Sequence, residues 1–158
     1  MDKVLGGLKR TSHPATALLG AAYLENALEG LLSAYFRPLG KEDWNRLFSP
    51  QARGILSTFD AKLRLAYAAR LLHAKAYDAL RLIGAIRNVF AHSLHKVSFK
   101  HPLVAKDCQR LSVISPTLSE SARIKPDASA VDVYAEIVRT LYVSLYLRTE
   151  QLLADRND

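Results

Sequence analysis

The sequence predicts an all-α protein: a single-domain irregular bundle of five to six helices, with a long central N-terminal helix and a long C-terminal one. Three observations carry this. Apolar residues recur at three and four residues along most of the chain, which is the helical period. Period-two alternation is rare. Glycine and proline are sparse, with 7 and 6 in 158 residues, so helices can run long before anything breaks them. No repeat or composition shift divides the chain, so residues 1–158 are read as one domain.

Each element follows from local chemistry. The first helix should start near Ser12, a capping residue, with Pro14 in the first turn where its missing N–H costs nothing. It should run to about Phe36 and stop before Pro38 and Gly40. Its apolar set (Leu18, Leu19, Tyr23, Leu24, Leu28, Leu31, Leu32, Tyr35) spans nearly the whole circumference and predicts a largely buried helix. Glu25, Asn26 and Glu29 form its narrow polar window.

A short helix is expected over Glu42 to Phe48, then a turn region, SPQARGIL. The next helix should start near Phe59 behind Ser57 or Thr58 and reach about Leu72, with Leu63, Ala66, Tyr67 and Ala69 to Leu71 on its apolar side. Another begins around Lys75 and carries YDALRLIGAIRNVFAH. Residues 93–104 read as irregular, with VSF as a brief extended piece. A helix over Leu103 to Leu111 follows, then a serine- and proline-rich loop, SPTLSESARIKPD. The final helix should span about Ala128 to Ala154, with Tyr134, Ile137, Val138, Leu141, Tyr142 and Leu145 on one face.

Composition bounds the function. Hydrophobic residues are 49% and charged residues 23%, which suits a globular rather than a disordered chain. No apolar run approaches the ~18 residues of a membrane span. The segment MDKVLGGLKR lacks the apolar core of a secretory signal. With a single cysteine, Cys108, no internal disulfide forms, and a cytoplasmic location is expected. The formal net charge is +7. From Ala79 to Lys106 there is no carboxylate, whereas Arg81, Arg87, Lys96, Lys100, Lys106 and His92, His95, His101 are all present. Arg81, His95, Lys96, Lys100 and Lys106 are the candidate nucleic-acid or anion contacts; the alternative is a solvated basic surface.

The stretch IRNVFAHSLH, Ile86 to His95, concentrates the chemistry. At about 100° per residue, Arg81, Asn88 and His92 share one stripe of their helix, with His95 beside it. Leu80, Ile83, Ile86, Phe90 and Leu94 face the core. Arg87 is displaced about 140° from His92 and sits at the edge of the apolar face. In a structural reading, Arg87 is partly buried and paired with Glu25 or Glu29. In a functional reading, His92 acts as acid or base and Arg87 stabilises a phosphate. His92, His95, His101 and Cys108 lack the spacing of a zinc site, so neither metal nor cofactor is expected. Cys108 reads as a core residue. There is no glycine-rich phosphate loop, GxSxG or persuasive helix-turn-helix.

Three segments carry a family resemblance: ALLGAAYLENALEGLL at 17–32, GILSTFDAKLRLAYA at 54–68 and LRLIGAIRNVFAHS at 80–93. In order and spacing they resemble the mannitol operon repressor family, and HPLVAKDCQRL is similar to the family's following segment. Ser49 to Arg53 departs from the Gly-Asn-rich turn of that family. The resemblance implies an all-helical bacterial cytoplasmic regulator that represses expression through DNA or a protein partner. A second, shorter resemblance overlaps it. Arg87, Asn88 and His92 look like the motif of HEPN domains, many of which are metal-independent endoribonucleases with one active site across a homodimer. That resemblance implies catalytic roles for these three residues and RNA as substrate, in a toxin or defence component. A third expectation is a helical interaction module whose motif is purely structural.

Overall fold

The computed structural model describes residues 11–93, 97–114, 124–125 and 127–157. Among them are six helices: α1 (His13–Tyr35), α2 (Lys41–Phe48), α3 (Phe59–Ala68), α4 (Ala74–His92), α5 (Pro102–Ile114) and α6 (Ala130–Asn157). The fold is all-α, as its periodicity predicts. Residues from all six helices feed one hydrophobic core.

α1 is the organising element, packed most extensively against α6 and also against α4 and α3. The Ser12 hydroxyl accepts the Ala15 N–H at its start. Ala17, Ala21, Leu24, Leu28, Leu31 and Leu32 are buried. Leu18 and Leu19 remain 40% and 42% exposed, however, and Tyr35 47%. The largely buried helix expected is therefore less covered than its apolar set suggests: the neighbours leave the flank of Leu18 and Leu19 open to solvent.

α1 and α6 run parallel. The Tyr134 hydroxyl donates to the Ala17 carbonyl at 2.7 Å near one end, and the Arg156 guanidinium donates to the Phe36 carbonyl at the other. Gly20 permits the approach, because a Cβ there would lie 2.8 Å from the Tyr134 ring. The predicted apolar face of α6 is the buried one: Tyr134, Ile137, Val138, Leu141 and Leu145 are all in the core, with Tyr142 partly buried against it.

α2 stacks Trp44 on Phe48 with centroids 3.9 Å apart and buries Phe48. The turn after it closes with Leu56 N–H on the Leu47 carbonyl at 2.8 Å. Gly54 is obligatory there, since a Cβ would sit 2.3 Å from that same carbonyl oxygen.

Thr58 caps α3 by accepting the Ala61 N–H. α3 ends at Ala68, short of the expected Leu72. Arg70 turns left-handed (φ 59°), and the Arg70 and Leu71 N–H groups return to the Tyr67 and Ala66 carbonyls. This is a Schellman stop, which side-chain periodicity does not reveal. Tyr67, expected on the apolar side, is 41% exposed and stacks on Tyr77.

His73 caps α4 through Nδ1, which accepts the Ala76 N–H at 3.2 Å. α4 ends at His92, where the Ser93 hydroxyl donates to the Val89 carbonyl. The expected extended VSF piece is instead an irregular connection with a turn at Phe99 and Lys100. Phe99 is buried and lies against Phe90, Tyr134 and His13. α5 is longer than expected at both ends. Most of the expected SPTLSESARIKPD loop lies outside the described residues.

Candidate anion-binding groove

The start of α3 and the middle of α4 border a groove of about 480 Å³. Thr58, Phe59, Asp60, Leu63 and Arg64 line it from the α3 side, and Arg81, Gly84, Ala85, Arg87 and Asn88 from α4. The helices approach closely here, because a Cβ on Gly84 would lie 3.2 Å from the Phe59 ring. Arg81, Ala85 and Asn88 recur at four and three residues and so share one face.

Arg87 stands three residues after Gly84, one turn along the same side of α4, and enters the groove at its edge. Its Nη1 donates to Asn88 Oδ1 at 3.0 Å. The adjacent asparagine thus ties the guanidinium to the Asn88 side of the helix. Arg87 is half-buried and Asn88 exposed. Arg81 is exposed, and its guanidinium lies 5.9 Å from the Tyr77 ring centroid, a cation–π distance. Arg64 Nε donates to Asp60 Oδ2 at 2.6 Å across one turn of α3.

The expected pairing of Arg87 with Glu25 or Glu29 is not what forms. Both carboxylates hold Lys62, at 3.0 and 2.9 Å. Lys62 lies on the face of α3 that carries Phe59, Leu63 and Ala66, and its side chain is 5% exposed. An ammonium inside a helix interface needs counter-charges, and α1 supplies two, four residues apart. Burial lowers the affinity of Lys62 for its proton, but the bonds and charges of Glu29 and Glu25 outweigh this and hold its pKa above the ordinary lysine value. The clue was available: Lys62 stands three after Phe59 and four before Ala66, at a core position.

His92 is exposed at the last turn of α4 and does not line the groove. Lys100 and Lys106 are exposed in the α4–α5 connection and on α5. His95 and Lys96 lie outside the described residues. The predicted anion contacts therefore divide. Arg81 joins Arg87 and Asn88 at the groove, while Lys100 and Lys106 sit elsewhere along the chain. Arg64 and Thr58 also line the groove; sequence reading gave Thr58 only as a helix cap and overlooked Arg64, for which the Asp60–Arg64 spacing was the one local sign.

No protein-family model, curated protein or solved structure matches the chain.

Chemically the groove offers guanidinium and amide donors, which is an inventory for holding an oxyanion. Among the described residues no group of three His, Cys, Asp or Glu side chains is placed to hold a metal ion. Cys108 is buried in the core. Burial, reinforced by Asp107, pushes its thiol up to about 12, so it stays protonated and is a poor nucleophile at neutral pH. Among the described residues no helix is long and apolar enough to cross a membrane.

Proposed function

We propose that the chain is a regulatory protein of the mannitol operon repressor type, repressing expression by binding DNA or an acidic regulatory partner. The observation that carries the binding half of this reading is the carboxylate-free stretch of residues 79–106. Its Arg81, Lys100 and Lys106 are exposed, and none of the three forms an ion pair among the described residues. Cations left open in this way attract polyanions and gain by counterion release. The regulatory half rests on the resemblance of the three segments at 17–32, 54–68 and 80–93.

The test is DNA binding by fluorescence anisotropy across a salt series, with affinity-capture from a bacterial extract beside it. The expected result is affinity that falls steeply with salt and is weakened in Lys100→Gln/Lys106→Gln. Absence of both salt-sensitive DNA binding and a captured partner overturns the proposal.

A second reading, a HEPN-type metal-independent endoribonuclease, is favoured by one feature: the Arg87 guanidinium is turned to Asn88, which shares its helix stripe with the exposed His92. Incubation with RNA in chelator tests it. Cleavage that disappears in both Arg87→Ala and His92→Ala supports it, and undiminished cleavage by His92→Ala sinks it.

A further inference from the structure

We propose that the groove between α3 and α4 is a binding site for a phosphomonoester of nucleotide size. It is recognised as a dianion by Arg81 and Arg87.

The charge balance comes first. Four ionic side chains line the groove: Asp60, Arg64, Arg81 and Arg87. Asp60 and Arg64 neutralise one another through their 2.6 Å contact. Arg81 and Arg87 have no carboxylate partner among the described residues. The groove therefore presents two uncompensated positive charges. A phosphomonoester carries roughly −1.5 to −2 at neutral pH, which matches them, whereas a phosphodiester carries about half that.

Geometry points the same way. The Asn88 bracket uses one of Arg87's five N–H donors, and among the described residues no other hydrogen bond engages the rest, which leaves them for phosphate oxygens. The groove also abuts the start of α3, a helix of 10 residues. Thr58 satisfies the Ala61 N–H, and the N–H groups of Phe59 and Asp60 are the first-turn donors that no helix can satisfy internally. Phe59, Leu63, Gly84 and Ala85 also line the groove, with Ala85 exposed to an organic body. A volume of about 480 Å³ lies in the ordinary range for small-ligand sites. It suits one small molecule held within the chain, not a duplex, which is read by placing a protein helix in the groove of the nucleic acid.

The regulatory reading also draws on Arg81, but it is tested at Lys100 and Lys106, which do not line the groove. Each can fail without the other.

Isothermal titration of the full chain with AMP, inorganic phosphate, adenosine and the dinucleoside monophosphate ApA decides the matter. The expected result is saturable binding of AMP, weaker binding of inorganic phosphate, none of adenosine, and ApA at least about tenfold weaker than AMP. Arg81→Gln and Arg87→Gln should each weaken AMP binding about tenfold, equivalent to about 1.4 kcal/mol, with unchanged circular dichroism. Lys106→Gln should bind AMP like the parent. Four results overturn the proposal: no saturable binding of AMP, adenosine binding equal to AMP, ApA binding equal to AMP, or undiminished AMP binding by Arg81→Gln/Arg87→Gln. Equal AMP and ApA affinities would assign the groove to nucleic-acid backbone instead.

Discussion

Arg70 holds a left-handed backbone, φ 59°, at the end of α3, where glycine is the usual residue. Its side chain is exposed, so replacing it removes the Cβ penalty without opening the core. Arg70→Gly should raise stability by about 0.5–1 kcal/mol, read as a higher urea midpoint with an unchanged slope. A lower midpoint would mean that the arginine side chain contributes more than its backbone costs. Arg70 also shows why residue-level features were partly illegible. A left-handed stop after α3 leaves no apolar signature, and the sequence has no glycine there to announce it. Arg87 is similar: its rotation about α4 was readable, but its capture by Asn88 depends on side-chain torsions that spacing does not encode.

At the scale of elements, Lys62 joins α3 to α1. Removing it leaves Glu25 and Glu29, about 24% and 30% exposed, facing each other without a counter-ion. Because those carboxylates keep some solvent, the cost is below that of a fully buried pair. Lys62→Met should destabilise by about 2 kcal/mol. Adding Glu25→Gln and Glu29→Gln should recover most of that loss, since no uncompensated charge is then left. Denaturant melts of the single and triple variants check this; a triple variant as unstable as the single one would show that lost packing dominates. Helix existence and order were legible because apolar spacing is a local property. Helix partners were not. Glu25 and Glu29 were expected as partners of Arg87, but they hold Lys62 instead, because the pairing turns on which helix lies across from them.

For the whole molecule, three buried groups act together at alkaline pH. The Cys108 thiol ionises near 9.0 when unperturbed, and burial holds it protonated to about 12. Burial likewise raises Tyr134 well above its ordinary 10.0. In both cases the unfolded chain releases a proton that the folded chain retains, so stability falls as pH rises past the unfolded value. Lys62, also raised, contributes stability that is complete below its ordinary 10.5 and lost as pH climbs through its folded value. Stability should therefore decline from about pH 9 upward. Cys108→Ala should delay the onset towards the tyrosine range. Urea midpoints across the alkaline range measure this, and a flat profile would contradict it. The all-α architecture itself was readable because nearly every segment agrees on the helical period. The solvent-open flank of α1 was not, since it depends on how many neighbours the helix acquires.

The parallel pairing of α1 and α6 has a consequence during synthesis. Its two end bonds join residues 117 and 120 positions apart. A ribosome adds roughly 5–20 residues per second, so α1 emerges several seconds before its principal partner exists. During that interval the buried stripe of Leu24, Leu28, Leu31 and Leu32 has chiefly α3 and α4 to shelter it. Ribosome-bound chains halted before Val133 would carry that stripe partly uncovered, and would be the form most dependent on a chaperone.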